Sequence, residues 1–309
     1  MKILFLLQEF PYPPENGFCW KVFSLLKEIS RKHECHLLSF ADSLPESSLQ
    51  QFLDVCPMVK VLGVFLPRKA TFRAQLRGLF EVGLPSAGVY SVPEFREAVR
   101  HALATTSYNV LHIDMINLVQ YASLASHSAI ILSVNDAVSL GYWNAVSESP
   151  SLAGRVRRKV ASKIIASYEG RAYRGRVVHV VSEVDREYLR NFCSSARIEV
   201  VPLAVDPTYF LRYPSENHLD PKTVTIPANF RVADVCSSVL RFLEAITCLA
   251  KSEKLNVVFK LVGPGATPAF IRSVSGLEGV QYLGWVDDYV GTLASSDLVV
   301  VPDRLGGGG

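Results

Sequence analysis

The sequence predicts an α/β protein of two domains, each a doubly wound parallel sheet, and three observations carry that prediction. Short apolar runs alternate with stretches of helical period along the 309 residues. Many of those runs are apolar throughout, as strands buried on both faces are. A unit of strand, small-residue loop and helix also occurs twice. Residues 2–7 run through Gln8-Glu9-Phe10-Pro11-Tyr12-Pro13-Pro14-Glu15 to Asn16-Gly17, and residues 257–262 run into Gly263-Pro264-Gly265. Such loops bring backbone N–H groups and a helix N-terminus close to an anion, so two of them point to two nucleotide-type folds facing a shared cleft.

In chain order, strands are expected at 2–7, 34–40, 59–66, 109–114, 129–134, 176–181 and 198–201, with amphipathic helices at 17–31, 94–105 and 183–192. Ser182 and Asp185 form an S-x-x-D signal that starts the last of these helices. After Pro202 the texture changes to a Pro-rich, polar stretch without period (Pro207, 213–218, Asp220-Pro221), which reads as a linker. The expected domains are therefore 1–203 and 222–309, joined by 204–221. The second series has strands at 223–226, 257–262, 280–283 and 298–301, and helices at 235–250, 268–275 and 289–295. It stops at Gly306-Gly307-Gly308-Gly309, where a domain of this type continues, so the second domain is expected to be incomplete and to expose a pairing edge.

Composition narrows the function classes. With 49% hydrophobic and 20% charged residues the chain can bury sizeable cores, and a net charge of +3 without a recognition motif argues against nucleic acid as a partner. The six cysteines are scattered, with no C-x-x-C and no histidine at metal-ligand spacing, so reduced thiols and no metal site are expected. The apolar start is too short for a signal sequence and reaches Glu9 and prolines. No run approaches the roughly 20 apolar residues of a membrane span. A cytoplasmic protein is expected.

Five strings, in this order and spacing, resemble the GT-B glycosyltransferases of the large GT4 group, above all bacterial sugar transferases of polysaccharide assembly. They are residues 8–17, Val181-Ser182-Glu183-Val184-Asp185, Val201-Pro202-Leu203-Ala204-Val205-Asp206-Pro207, Leu261-Val262-Gly263-Pro264-Gly265 and Gly284-Trp285-Val286-Asp287. The resemblance covers nearly the whole chain. It implies transfer of a sugar from a nucleotide-sugar donor to a glycan or lipid-linked acceptor, with retention at the anomeric carbon, no divalent metal and no cofactor.

A nucleoside diphosphate leaving group concentrates negative charge in the transition state, and without a metal that charge must be met by backbone dipoles and cations. On this basis Asn16 and Gly17 lie beside the donor phosphate or sugar, Gly263 and Gly265 border the nucleotide, and Trp285 and Val286 border the base. Taken singly, each loop also reads as a tight turn ending a buried strand. Relatives grip the diphosphate with an Arg and a Lys after the first donor-domain strand; here 228–234 offers Arg231 alone. Relatives also carry two glutamates beyond the final glycine run, which this chain does not reach.

Where many relatives end a strand with His, this chain has Asn135-Asp136. Asn hydrogen-bonds a sugar hydroxyl but cannot take its proton, which leaves Asp136 for that task. Both residues also suit turns and helix caps. Asp114, at a strand end, is an acceptor-site candidate, and His112 reads as a satisfied core histidine. Asp287-Asp288 reads as a helix cap and not as a metal-binding pair.

Residues 154–176 hold eight Lys or Arg against Glu169, a net +7, with Val156, Val160, Ile164 and Tyr168 at helical spacing. The pattern fits peripheral contact with anionic membrane, and also a solvated helix packed on its own domain. Two functional readings stand: a glycosyltransferase, and a truncated, catalytically silent GT-B binding module that transfers little. A sugar-nucleotide epimerase of similar fold is a third.

Overall fold

A computed structural model of the chain describes residues 1–14, 16–43, 46–125, 129–147, 149, 151–203 and 222–302. The chain divides into two compact units, one built chiefly by Met1–Ala204 and one by Val205–Gly306. The expected linker, 204–221, and the terminal glycines lie outside the described residues.

The first unit is built on seven parallel strands: β1 (Lys2–Leu7), β2 (Glu34–Phe40), β3 (Val59–Phe65), β4 (Val110–Asp114), β5 (Ala129–Asn135), β6 (Val177–Val180) and β7 (Arg197–Val200). Their order is β3-β2-β1-β4-β5-β6-β7, so the sheet reverses direction of growth between β1 and β4. Helices α1 (Gly17–Ile29), α2 (Glu46–Val55), α3 (Phe72–Arg77), α4 (Pro93–Thr105), α5 (Val138–Asn144), α6 (Leu152–Ala172) and α7 (Glu183–Arg190) connect them.

Alternation along each strand explains the double cover. Leu4 and Leu6 of β1, with Leu38 and Phe40 of β2, enter one core with Phe95, Val99 and Ala102 of α4. Ile3, Phe5 and Leu7, with Cys35 and Leu37, enter another with Val22, Phe23 and Leu26 of α1 and Phe52 of α2. Residues two apart share a face, so a strand apolar throughout must be buried on both.

The second unit holds four parallel strands, β8 (Lys222–Pro227), β9 (Val257–Val262), β10 (Val280–Gly284) and β11 (Leu298–Val299), in the order β10-β9-β8-β11. Helices α8 (Ala233–Ser252), α9 (Pro268–Ser275) and α10 (Tyr289–Ala294) alternate with them. Its core gathers Ile226, Phe259 and Leu261 from the strands with Val239 and Leu243 of α8 and Phe270 and Val274 of α9. The expected strand at 298–301 shortens to two residues, which pair with Val224 and Thr225 and are themselves exposed. Among the described residues no helix is long and apolar enough to cross a membrane.

Asn16, Ser151 and Ser182 cap α1, α6 and α7 by accepting from the backbone N–H three residues on, which satisfies a donor at the start of each helix. Asp288 caps α10 in the same way, as expected. One expectation fails on α6: Tyr168 is buried in its own domain and does not extend the exposed apolar stripe.

The α5–α6 contact turns on Glu169. Its fully buried carboxylate accepts from the Ser139 backbone N–H at 3.3 Å and from the Ser139 hydroxyl, while the Ser162 hydroxyl donates to the Ser139 carbonyl at 2.8 Å. Burial outweighs those bonds and raises the Glu169 pKa to about 7. The folded state therefore binds a proton that the unfolded state has lost between about pH 4.5 and 7. Stability from this group rises as pH falls through that window and is lost above it. We expect thermal unfolding to show this slope, and Glu169→Gln to flatten it by on the order of 2 kcal/mol between pH 8 and 5; an unchanged slope contradicts the assignment.

Candidate functional site

Open parallel sheets bind ligands at the carboxyl ends of strands, where strand order reverses. In the first unit that point lies between β1 and β4, and a buried polar cluster sits beside it. Lys21, on α1, keeps only 9% of its side chain exposed. Its ammonium reaches Asp114 Oδ1 at 3.0 Å, Ser133 Oγ at 2.9 Å and Asn135 Oδ1 at 2.5 Å, at the ends of β4 and β5. A lysine has three protons to donate, and all three find acceptors here.

The cluster continues to His179 on β6. His179 Nε2 donates to the Val201 carbonyl at 2.9 Å, so Nδ1 is the acceptor for the Ser133 hydroxyl at 3.0 Å. Ser133 thus donates outward to His179 while accepting from Lys21. Burial, followed by the nearby Lys21 charge, lowers the His112 pKa to about 3. Burial also lowers that of His179, so both rings are neutral at neutral pH. Asp114 is fully buried; its pKa is pushed up by burial, against the pull of Lys21. Among the described residues Asp114 Oδ2 and His112 Nε2, 3.9 Å apart, have no hydrogen-bond partner, so His112 is not the satisfied core histidine expected.

Two backbone outliers mark the same edge. Met115, following β4, has φ 72°, and Asn135, ending β5, has φ 66°, the left-handed region that non-glycine residues adopt at a cost of about 1–3 kcal/mol. The Asn135 amide spans them, donating from Nδ2 to Met115 Sδ at 3.5 Å. The next residue, Asp136, is exposed and reachable by a ligand. Crowding of its carboxyl by neighbouring atoms, then repulsion from Asp185, raises its pKa, with Lys21 opposing.

Asn16 and Gly17 sit one turn before Lys21 on the same helix. The Asn16 side chain is occupied in capping and in donating to the Glu9 carboxylate at 3.2 Å, whereas a Cβ on Gly17 would meet open space. Beside them a recess of about 470 Å³ opens past β1 and β2, walled by Gln8, Glu9, Tyr12, Asp42, Ser43 and Tyr90. A larger recess of about 600 Å³ follows edge strand β3; among its described lining residues Lys60 is the one ionisable group, and the rest are apolar or glycine.

In the second unit the donor-side candidates converge on the loops after β8, β9 and β10. The backbone ties these loops together: Phe230 N–H donates to the Pro264 carbonyl at 3.0 Å and Gly263 N–H to that of Gly284 at 2.8 Å. Gly263, at φ 143°, lies so close to Ala228 that a Cβ would stand 1.8 Å from its carbonyl oxygen. At Gly265 a Cβ would meet the Arg231 side chain, which folds over it. Trp285 is 60% exposed on the neighbouring loop, and Val286 is half-buried. Arg231, Gly263, Gly265 and Trp285 therefore share one sheet end. Among the described residues no group of three or more His, Cys, Asp or Glu is placed to hold a metal ion.

Lys21, the centre of the first cluster, was not foreseen. Its one signal is that it is the sole charge in the run 17–26, otherwise apolar or small. The recess residues Gln8, Glu9, Asp42 and Tyr90 give no signal of that kind.

No protein-family model and no curated protein sequence matches the chain. Solved structures do. WaaG, a glycosyltransferase involved in lipopolysaccharide biosynthesis, is 13% identical with TM-score 0.57, over 98% of this chain and 75% of its own. An α,α-trehalose-phosphate synthase (UDP-forming) from Burkholderia vietnamiensis is 11% identical with TM-score 0.57, over 100% and 79%. A putative UDP-N-acetylglucosamine 2-epimerase from Listeria monocytogenes is 12% identical with TM-score 0.52, over 98% and 74%. At these identities the likeness is one of fold. The chain has the α/β architecture of GT-B glycosyltransferases, with the four-stranded unit the smaller.

Removing one partner of a buried ion pair strands the other. We expect Lys21→Met and Asp114→Asn each to cost about 3 kcal/mol in urea unfolding. The double variant should cost clearly less than their sum; additive losses would show that the two do not act as a pair.

Proposed function

We propose that the chain is a GT4-type glycosyltransferase that moves a sugar from a nucleotide-sugar donor to a hydroxyl of a glycan or lipid-linked acceptor, with retention and without a divalent metal. The observation that carries this reading is the concentration of polar and glycine features at the carboxyl ends of both parallel sheets. In this reading Arg231 and the N–H groups around Gly263 and Gly265 meet the diphosphate, Trp285 and Val286 border the base, and Asn16 and Gly17 lie at the donor phosphate or sugar.

On the acceptor side Asp136 is the catalytic candidate, an exposed carboxyl able to take a hydroxyl proton. Asn135 hydrogen-bonds the sugar, its amide oriented by Lys21. Asp114 acts through Lys21, since it is buried behind it. The hydroxyl and carboxyl groups of the adjacent recess suit a polyol.

One observation favours a second reading, a GT-B module that binds without turnover. Among the described residues of the loops after β8, β9 and β10, Arg231 is the single Lys or Arg, so a departing diphosphate would meet one cation.

Titration calorimetry with UDP- and GDP-sugars, paired with a donor-hydrolysis assay, separates these readings. The transferase reading predicts binding of one donor class with turnover, and at least tenfold weaker binding for Arg231→Ala, the loss of a charge-assisted bond worth about 1.5–3 kcal/mol. Binding without turnover selects the silent module. No binding of either class rejects both.

A further inference from the structure

The surface made by α5 and α6 has a composition that neither sheet end uses. Leu152, Val156 and Val160 recur at i, i+4 and i+8 along α6, and they are 78%, 54% and 51% exposed. The opposite stripe of the helix (Ser162, Ile165, Tyr168, Glu169) is the one packed into the domain. The exposed valines are therefore not core positions seen at a glancing angle; among the described residues they form a second, solvent-facing apolar stripe. Lys159 and Lys163 interleave with them, Arg155 and Arg157 flank them, and no carboxylate occurs from Ser151 to Tyr168.

α5 contributes the aromatic part. Trp143, 48% exposed, lies beneath the Lys159 ammonium at 5.9 Å from the ring centroid, and Tyr142 beside it is also exposed. A helix that only faces water gains nothing from exposing Trp, Leu and two valines. An interface that is anionic outside and apolar beneath satisfies both halves at once: amphipathic rings at headgroup depth, aliphatic tips below, and lysines snorkelling to phosphate.

We propose that this surface docks on anionic phospholipid bilayers, with Trp143, Val156 and Val160 entering the headgroup boundary and Lys159 and Lys163 meeting lipid phosphates. α5 begins three residues after Asn135, so one short helix links the carboxyl end of β5 to Trp143. The docking itself stands apart from the transfer reading, because lipid contact is measured without turnover.

Vesicle flotation with the whole 309-residue chain tests the proposal. The chain should float with phosphatidylcholine vesicles containing phosphatidylglycerol and stay behind with phosphatidylcholine alone. Lys159→Gln with Lys163→Gln should lower partition about thirtyfold, two charges near the surface contributing about fivefold each. Brominated lipid should quench tryptophan emission in the native chain and lose that quenching in Trp143→Phe. Val156→Ser with Val160→Ser, at surface positions that leave folding intact, should weaken binding even where the charge is unchanged. Equal recovery on neutral and anionic vesicles overturns the proposal, as does anionic binding that ignores the lysine and valine changes. Capture by polyglutamate with no recovery on vesicles overturns it in favour of an acidic macromolecule.

Discussion

The Lys21 ammonium is the constraint on which the first unit's functional edge depends. A buried cation is tolerated only where its protons are all accepted and its charge is met. Here the acceptors come from the ends of two adjacent strands, and the charge from Asp114 behind them. The same group therefore fixes the start of α1, the end of β4 and the end of β5 relative to one another. Two residues with positive φ, Met115 and Asn135, sit in the grip of this cluster. Strain of that kind persists only where the surroundings over-determine it, and the cluster supplies those surroundings.

The second unit solves a similar problem with backbone instead of charge. Its loops after β8, β9 and β10 are knitted by main-chain hydrogen bonds, and Gly263 permits an approach to Ala228 that a Cβ would block. The result is a set of backbone groups with Arg231 laid across Gly265 and Trp285 alongside. One sheet end is ionic and enclosed, the other glycine-rich and open. The proposed transfer would draw on that division, since an acceptor hydroxyl requires oriented polar groups and a diphosphate requires dipoles and space.

Much of the architecture was legible because doubly buried strands leave no ambiguity of face. Among the described residues all eleven strands fall on the runs expected, with ends moved by a residue or two, as at 298–301. Helices α2, α3 and α5 carry no such signal: at 10, 6 and 7 residues they are too short for a helical period to declare itself. The same physics divides the sites. Gly263, Gly265 and Arg231 announce themselves through local sequence, and their loops do meet. Lys21 meets Asp114, Ser133 and Asn135 across 93, 112 and 114 residues, a relation that exists only after the sheet has formed. On α6, periodicity revealed a greasy stripe but not that two existed, and only packing shows that Tyr168 belongs to the inner one and Val160 to the outer.

If the sheet ends are where this chain meets its ligand, a nucleotide sugar must change the exposure of specific backbone amides. Hydrogen–deuterium exchange of the chain with and without UDP- and GDP-sugars measures that directly. The account predicts slowed exchange with one donor at 228–232, 263–266 and 284–288, with the β3 edge and the α8 surface unaffected. Exchange that is unchanged in those loops, or protection confined to the β3 recess, would contradict it.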